Sequence, residues 1–317
     1  MIRYLAQRLA FAALVLIALS GFVFLLFFVA PGDPARVIAG DKATEAQLVQ
    51  IRQNLGLDQP ILTQYVRFVS RAATGDLGYS YRNQRPVTEL IARRIPATLS
   101  LVLGGVVFWL ALGIPIGVMS ARHPGTWRDR MGQVFILIGL SFPTFVLGML
   151  LLYTLYFLPR KAGLTLFPPG GYKPLLDDPL IWAWHLTLPW LTLALVTAAV
   201  YARLTRGQLL EVLSEDYIRT ARAKGLSETR VVYRHGMRAT LTPLVTQLGA
   251  DIALLLGGAI VIEQVFGLQG VGALAVQAVK TQDRPIIIGV VLLGGLFIVV
   301  MNILVDLLYA TLDPRTR

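Results

Sequence analysis

Residues 95–121 read IPATLSLVLGGVVFWLALGIPIGVMSA, a run without a single charged side chain. A hydrocarbon layer about 30 Å thick is crossed by roughly 20 apolar residues of helix, so this run can span with a margin. Uncharged runs of the same kind lie at 9–32, 131–159, 179–202 and 285–305. A further apolar stretch at 244–265 is interrupted by Asp251 and Glu263. The pattern predicts an all-α, polytopic membrane protein with six transmembrane helices. Composition agrees: of 317 residues 55% are hydrophobic and 15% charged, against about 25% charged in an ordinary soluble domain. The net charge of +11 needs no nucleic acid, because Lys and Arg gather at the cytoplasmic edges of membrane proteins. With no cysteine, disulfides, thiolate metal sites and a thiol nucleophile are excluded.

The expected spans are 9–30, 96–121, 131–158, 185–203, 244–265 and 285–307. Between them lie outer segments 31–95, 159–184 and 266–284, and inner segments 1–8, 122–130, 204–243 and 308–317. The first run exceeds a signal-peptide core of about 7–15 residues and is read as a retained span. Arg122, Arg128 and Arg130 crowd the second-to-third loop, and Arg203, Arg206, Arg219, Arg222, Lys224, Arg230, Arg234 and Arg238 fill the fourth-to-fifth. Short basic loops stay inside, so both termini are expected in the cytoplasm. The long 31–95 segment holds nine basic and six acidic residues, and long loops carry little weight in this rule.

In that outer segment Thr44 and Glu45 read as a helix N-cap and first-turn acid, with Gly56 as the stop. Pro60 suits the first turn of a second helix whose apolar stripe is Ile61, Tyr65, Phe68, Val69 and Ala72. Gly75-Asp76-Leu77-Gly78 then forms a turn. Two such helices bury little surface alone and are expected to cap the membrane bundle.

Several spans contain breakers: Pro115 between Gly113 and Gly117, Pro143 after Ser141, and the pair Gly257-Gly258. Small residues let membrane helices approach closely, and proline kinks them. Ser141 can help satisfy backbone groups freed by Pro143. Asp251 stands within a span, where a charge is costly and turns to a bundle interior or water. Ser141, Pro143, Asp251, Gly257 and Gly258 are therefore candidates for either the transport pathway or helix packing. A self-contained ion-coupled carrier would show inverted repeats and several intramembrane acids, and neither pattern is visible.

The most informative loop is 208–243, QLLEVLSEDYIRTARAKGLSETRVVYRHGMRATLTP. Leu210, Leu213, Tyr217 and Ala221 follow helical spacing, Gly225 fits a left-handed helix end, and Ser227 with Glu228 starts a second short helix. Apolar side chains such as Val232, in a loop expected to be solvated, point to a hairpin that docks into a partner. The alternative is an amphipathic pair lying on anionic lipid.

Residues 217–227, YIRTARAKGLS, resemble the coupling motif of the EAA type found in permeases of ATP-binding-cassette importers. Arg219 replaces the usual Glu, and 225–243 is longer than the general motif; both departures resemble the peptide/nickel branch. Leu55-Gly56-Leu57-Asp58-Gln59-Pro60, Ser141-Phe142-Pro143-Thr144-Phe145, Phe266-Gly267 with Gly270-Val271-Gly272, and Asp313-Pro314-Arg315 extend the likeness over nearly the whole chain. The resemblance implies a type I importer permease in the bacterial inner membrane. Its coupling loop would include Asp216, Tyr217, Arg219, Ala221, Arg222, Ala223, Gly225, Leu226, Ser227 and Val232. It implies a second homologous permease, two cytoplasmic ATPases holding ATP and Mg, an extracytoplasmic binding protein, surrounding lipid, and no nucleic acid. Di- or oligopeptides are the implied cargo, with glutathione or nickel as alternatives. The chain itself lacks a G-x-x-x-x-G-K-[ST] loop. Its histidines, His123, His185 and His235, are scattered rather than clustered as ligands. No cofactor and no ATPase activity of its own are therefore expected.

Overall fold

The computed structural model describes residues 2–29, 44–55, 58–257 and 259–312. The expected stop at Gly56, the glycine at 258 and the tail Asp313-Pro314-Arg315 lie outside them. The described residues are helical apart from connecting turns and one isolated bridge between Tyr79 and Pro86. In chain order the helices are α1 (Ile2–Phe24, continued by a wider π-type turn Leu25–Val29), α2 (Glu45–Leu55), α3 (Ile61–Ala73), α4 (Val87–Arg122) and α5 (Trp127–Ser141). They continue with α6 (Thr144–Lys161), α7 (Pro179–Leu213), α8 (Asp216–Ala223), α9 (Glu228–Leu256), α10 (Ile260–Val265), α11 (Val271–Lys280) and α12 (Arg284–Leu312).

Among the described residues five stretches are long and apolar enough to cross a membrane: Ala6–Phe27, Val87–Arg122, Pro179–Leu213, Glu228–Leu256 and Arg284–Val305. The pair α5 and α6, bent by 99° between them, makes a sixth when counted as one span. Where the sequence suggests a kink at Pro143 the helix breaks outright, since Pro143 has no N–H to continue the ladder. At 36 and 35 residues, α4 and α7 are each over 50 Å long at about 1.5 Å per residue. That is some 20 Å more than the hydrocarbon thickness of about 30 Å, so each carries a charged end beyond the lipid.

Two compact units divide the chain: Met1–Ile95 with Leu274–Val299, and Pro96–Ala273 with Val300–Arg317. In the first, Thr44 caps α2 as expected. Its Oγ1 accepts the Gln47 N–H at 3.4 Å while Gln47 Oε1 accepts the Thr44 N–H at 3.0 Å, a reciprocal capping box. Pro60 stands at the N-cap of α3, one residue before the expected first turn. Phe24 of α1 meets Tyr65 edge-on at 5.4 Å and Phe68 at 5.9 Å, and Tyr65 Oη is 3.0 Å from Ser20 Oγ. Tyr65 and Phe68 of the α3 stripe thus pack on α1, while Ile61, Leu62 and Val66 stay exposed. The turn after α3 closes as expected, with Asp76 Oδ1 accepting the Gly78 N–H at 2.9 Å. Beyond it, buried Asp283 accepts the Ser80 hydroxyl at 2.5 Å and the Tyr81 and Arg82 N–H groups at 3.2 Å.

In the second unit α4 lies against α7, with Trp109, Leu193, Ala198 and Tyr201 in one cluster and Leu101, Leu186, Trp190 and Phe266 in another. Trp190 Nε1 donates to the Ser100 carbonyl at 2.9 Å. A Cβ at Gly117 would sit 2.7 Å from the Ala202 carbonyl oxygen, so the two backbones approach as small residues allow. Outward, α5 presents Trp127, Met131, Val134, Leu137 and Ile138, all exposed. Apolar side chains on that face suit lipid or a partner helix, because hydrocarbon exerts no drive to bury them.

The sequence separates a short hairpin helix after Ser227 from a span at 244–265. Instead α9 runs unbroken from Glu228 to Leu256, with a widened turn at Val231–Gly236 and Pro243 inside it. Packing decides this: Val231, Val232 and Met237 are buried, and membrane helices tolerate proline when local turns adjust. Residues 260–265 form the separate α10, after which the loop 162–178 docks back through the Gly171 N–H on the Phe266 carbonyl at 2.9 Å.

Candidate functional site

The loop between α7 and α9 folds as a helical hairpin. After Leu213, Ser214 and Glu215 break the helix; Leu213 and Tyr217, expected on one helical face, therefore lie on successive helices α7 and α8. Asp216 opens α8 and Arg222 lies in its last turn, the polarity that the helix dipole favours. The end of α8 is a Schellman turn. The Gly225 N–H donates to Arg222 O at 2.9 Å, the Leu226 N–H to Ala221 O at 3.4 Å, and Gly225 has φ +76°. Leu226 folds back on Ile218, Ala221 and Val231 with Leu213, the apolar contact this turn requires.

Arg222 then bridges the turn as a fork, with Nη2 and Nε donating to the Glu228 carboxylate at 2.8 and 3.1 Å. Both side chains are about half exposed, so the pair adds at most about 1 kcal/mol and serves chiefly as geometry. Ser227 occupies the N-cap position of α9 without a hydroxyl cap.

The apolar residues of the hairpin point inward. Ile218 and Val231 are fully buried, and Val232 packs with Val118, Ala121, Leu209 and Met237. The sequence points such side chains at a partner; instead the chain buries them itself, Val232 against α4 and α7. The outer face is left to Tyr217 (47% exposed), Tyr233 (55%), Ala223, Arg219, Lys224 and Asp216. Arg122 lies 5.8 Å over the Tyr233 ring. Two exposed tyrosines set among charges offer a partner both contact area and polar handles.

Beneath the hairpin stands an arrangement that charge counting misses. Asp129 at the start of α5 is buried and accepts from Arg206 Nε at 2.8 Å, from Arg206 Nη2 at 3.0 Å, from the Gly125 N–H at 2.9 Å and from the Ser120 hydroxyl. Arg206, which the loop-charge rule counts as a free cation, is therefore spent on Asp129. A lone acid among Arg122, Arg128 and Arg130 is the signal that could have found the pair.

Asp251 on α9 has two donors, Tyr201 Oη on α7 at 2.9 Å and Gln247 Nε2 at 2.9 Å. Ser141 donates to Leu137 O at 2.6 Å, one turn back at the broken end of α5, and Pro143 is the N-cap of α6. Gly257 closes α9 with its N–H on Ala253 O at 3.3 Å. Glu263, noted only as an interruption, is buried and accepts from Thr98 Oγ1 at 2.6 Å and the Ala273 N–H at 2.7 Å, at the first turn of α11. Removing the Tyr201 hydroxyl with Tyr201→Phe is expected to lower stability by about 1 kcal/mol, the scale of interhelical hydrogen bonds in membranes. Thermal unfolding of the detergent-solubilised protein, with Thr246→Val on the same helix as control, measures this.

Residues 113–317 match the family described as the inner membrane component of binding-protein-dependent transport systems, and residues 1–102 match its N-terminal membrane component. The chain belongs to this family. The permease is 41% identical over 318 residues to the glutathione transport system permease protein GsiC of Salmonella paratyphi A, covering 100% of this chain and 99% of that one. GsiC of Escherichia coli K12 gives 41% over 319 residues with the same coverage. Among solved structures, the MetNI methionine ABC transporter in inward-facing conformations superposes with a TM-score of 0.53 at 19% identity, covering 71% of the permease and 96% of that chain. An amino acid ABC transporter gives 0.53 at 17% identity, covering 71% and 94%. The fold is that of an ABC importer permease. The permease is a multi-pass inner-membrane subunit of such an importer, a role that implies ATPase subunits, a second permease and a binding protein.

Proposed function

We propose that this permease pairs with a second, homologous permease to carry short peptides of glutathione size inward. Two cytoplasmic ATPases drive the cycle, and an extracytoplasmic binding protein delivers the cargo. The hairpin on α7 and α9 is the carrying observation. Its apolar side is satisfied within the chain while Tyr217, Tyr233 and the charged residues around them face outward, as a docking knob requires. The naming of the full-length relatives for glutathione transport supports the cargo. The basic hairpin is cytoplasmic in this reading, as are both termini. Cargo passes between the two permeases in alternating access, with ATP and Mg held by the ATPases.

Reconstituted with its partners, the permease is expected to support saturable, ATP-dependent uptake of labelled glutathione. Di- and tripeptides should compete, and nickel should have no effect. Glutathione uptake absent while nickel or longer peptides enter would overturn the cargo assignment. The permease purified alone is expected to hydrolyse no ATP, since it carries no phosphate-binding loop. Turnover by a preparation free of ATPase subunits would contradict this.

A further inference from the structure

A hairpin that receives a push must pass it on, and the join between α7 and α8 is a poor transmitter because two residues interrupt the helix there. The second limb has a firmer seat, since Val232 and Met237 of α9 rest on Leu209 of α7 and on Val118 and Ala121 of α4. Apolar contact of this kind is non-directional and leaves sliding and rotation open. Immediately beside that seat lies the Asp129–Arg206 pair. Ser120 stands between Val118 and Ala121, and Arg206 lies one turn before Leu209. The fork is bidentate, Asp129 is 2% exposed and Arg206 26% exposed, and Arg206 Nε also reaches Ser120 Oγ at 3.1 Å. A paired fork fixes angle as well as distance. Asp129 stands in the first turn of α5, the helix that ends at the Ser141–Pro143 break.

We infer that Asp129 is a positioning residue for energy coupling, locking the start of α5 to α4 and α7 so that displacement of the hairpin seat reaches the bent α5–α6 pair. The inference rests on the hairpin being the coupling surface. Its fully bonded carboxylate is what a rigid strut needs, since a half-satisfied buried charge would loosen the site.

The test uses the whole transporter in proteoliposomes, with ATP hydrolysed per glutathione imported as the readout. Asp129→Asn keeps the side-chain shape and removes the charge. It is expected to raise that ratio about tenfold, on the scale of coupling between two sites. Complex assembly and the half-saturating concentration of loaded binding protein should stay as in the wild type. Arg206→Lys, which keeps the charge and loses the fork, should raise the ratio as well. The double variant should be no worse than the more affected single one, as expected of one shared interaction. A wild-type ratio in assembled Asp129→Asn transporter overturns the inference. Should that variant not assemble, a wild-type ratio in Arg206→Lys overturns it equally. Gly225→Val run in parallel separates the two layers. Wild-type uptake with a normal ratio there removes the coupling role of the hairpin and this inference with it. An elevated ratio there beside a normal one in Asp129→Asn sinks the strut alone.

Discussion

A Gly113→Val permease is expected to be nearly absent from the folded membrane fraction. A Cβ at position 113 would lie 2.7 Å from the Ala198 carbonyl oxygen and 2.8 Å from Tyr201 Cβ, and neither belongs to a flexible side-chain tip. Either α4 and α7 separate or the backbone of α7 distorts, and overpacking of this kind costs about 1–3 kcal/mol or more. Separation would also open the cluster of Trp109, Leu193, Ala198 and Tyr201 and strain the Tyr201–Asp251 hydrogen bond. Those losses add to the clash. Gly207→Ala on α7 is the matched control. Nothing lies within 4 Å of its Cβ, and alanine exceeds glycine in a helix by about 0.8–1.0 kcal/mol. The control should be as abundant as the wild type or more so. Fluorescence-detected size exclusion of the two variants measures the contrast. A monodisperse, wild-type yield of Gly113→Val would show that the two helices are not held at that distance.

Gly225→Val is expected to leave the permease in the membrane and to cut glutathione uptake about tenfold. The position has φ +76° and open space around a would-be Cβ, so the cost is one of backbone conformation alone, about 1–2 kcal/mol for a side chain in that region. This is too little to unfold the protein but amounts to a factor of about 5–30 in the population of the native turn. Loss of the Schellman turn releases Leu226 from Ala221 and pulls the Arg222–Glu228 fork out of register. The outer face carrying Tyr217 is then misdirected. Gly225→Asn is the discriminating companion, because Asn tolerates the left-handed conformation and should retain most uptake. Equal losses in Asn and Val variants would mean that side-chain bulk, not φ, is what position 225 resists. Full uptake and normal stimulation of the ATPases by loaded binding protein in Gly225→Val would move the coupling surface elsewhere.

Local signals were legible without any structure. The N-cap at Thr44, the turn at Gly75–Gly78, the left-handed Gly225 and the uncharged runs each depend on residues a few positions apart. Helix breaks were less legible than they looked. Pro143 stops a helix, yet Pro115, Pro189 and Pro243 lie inside α4, α7 and α9, because neighbouring packing and widened turns decide whether a proline is accommodated.

Hydrophobicity and charge, summed over windows of about 20 residues, determined from the sequence alone that the chain is a bundle of membrane helices with a basic hairpin. The order of its short motifs resembled the importer permeases it proved to belong to. Only the tertiary structure decided which way the hairpin residues face and which charges are free. Val232 has a core because Val118 and Leu209, over a hundred and some twenty positions away in sequence, come to meet it. Arg206 is bound because Asp129, also distant in sequence, is buried beside it with its lone pairs to satisfy. Burial of a polar group demands a partner, and the chain does not state where that partner is until the helices pack.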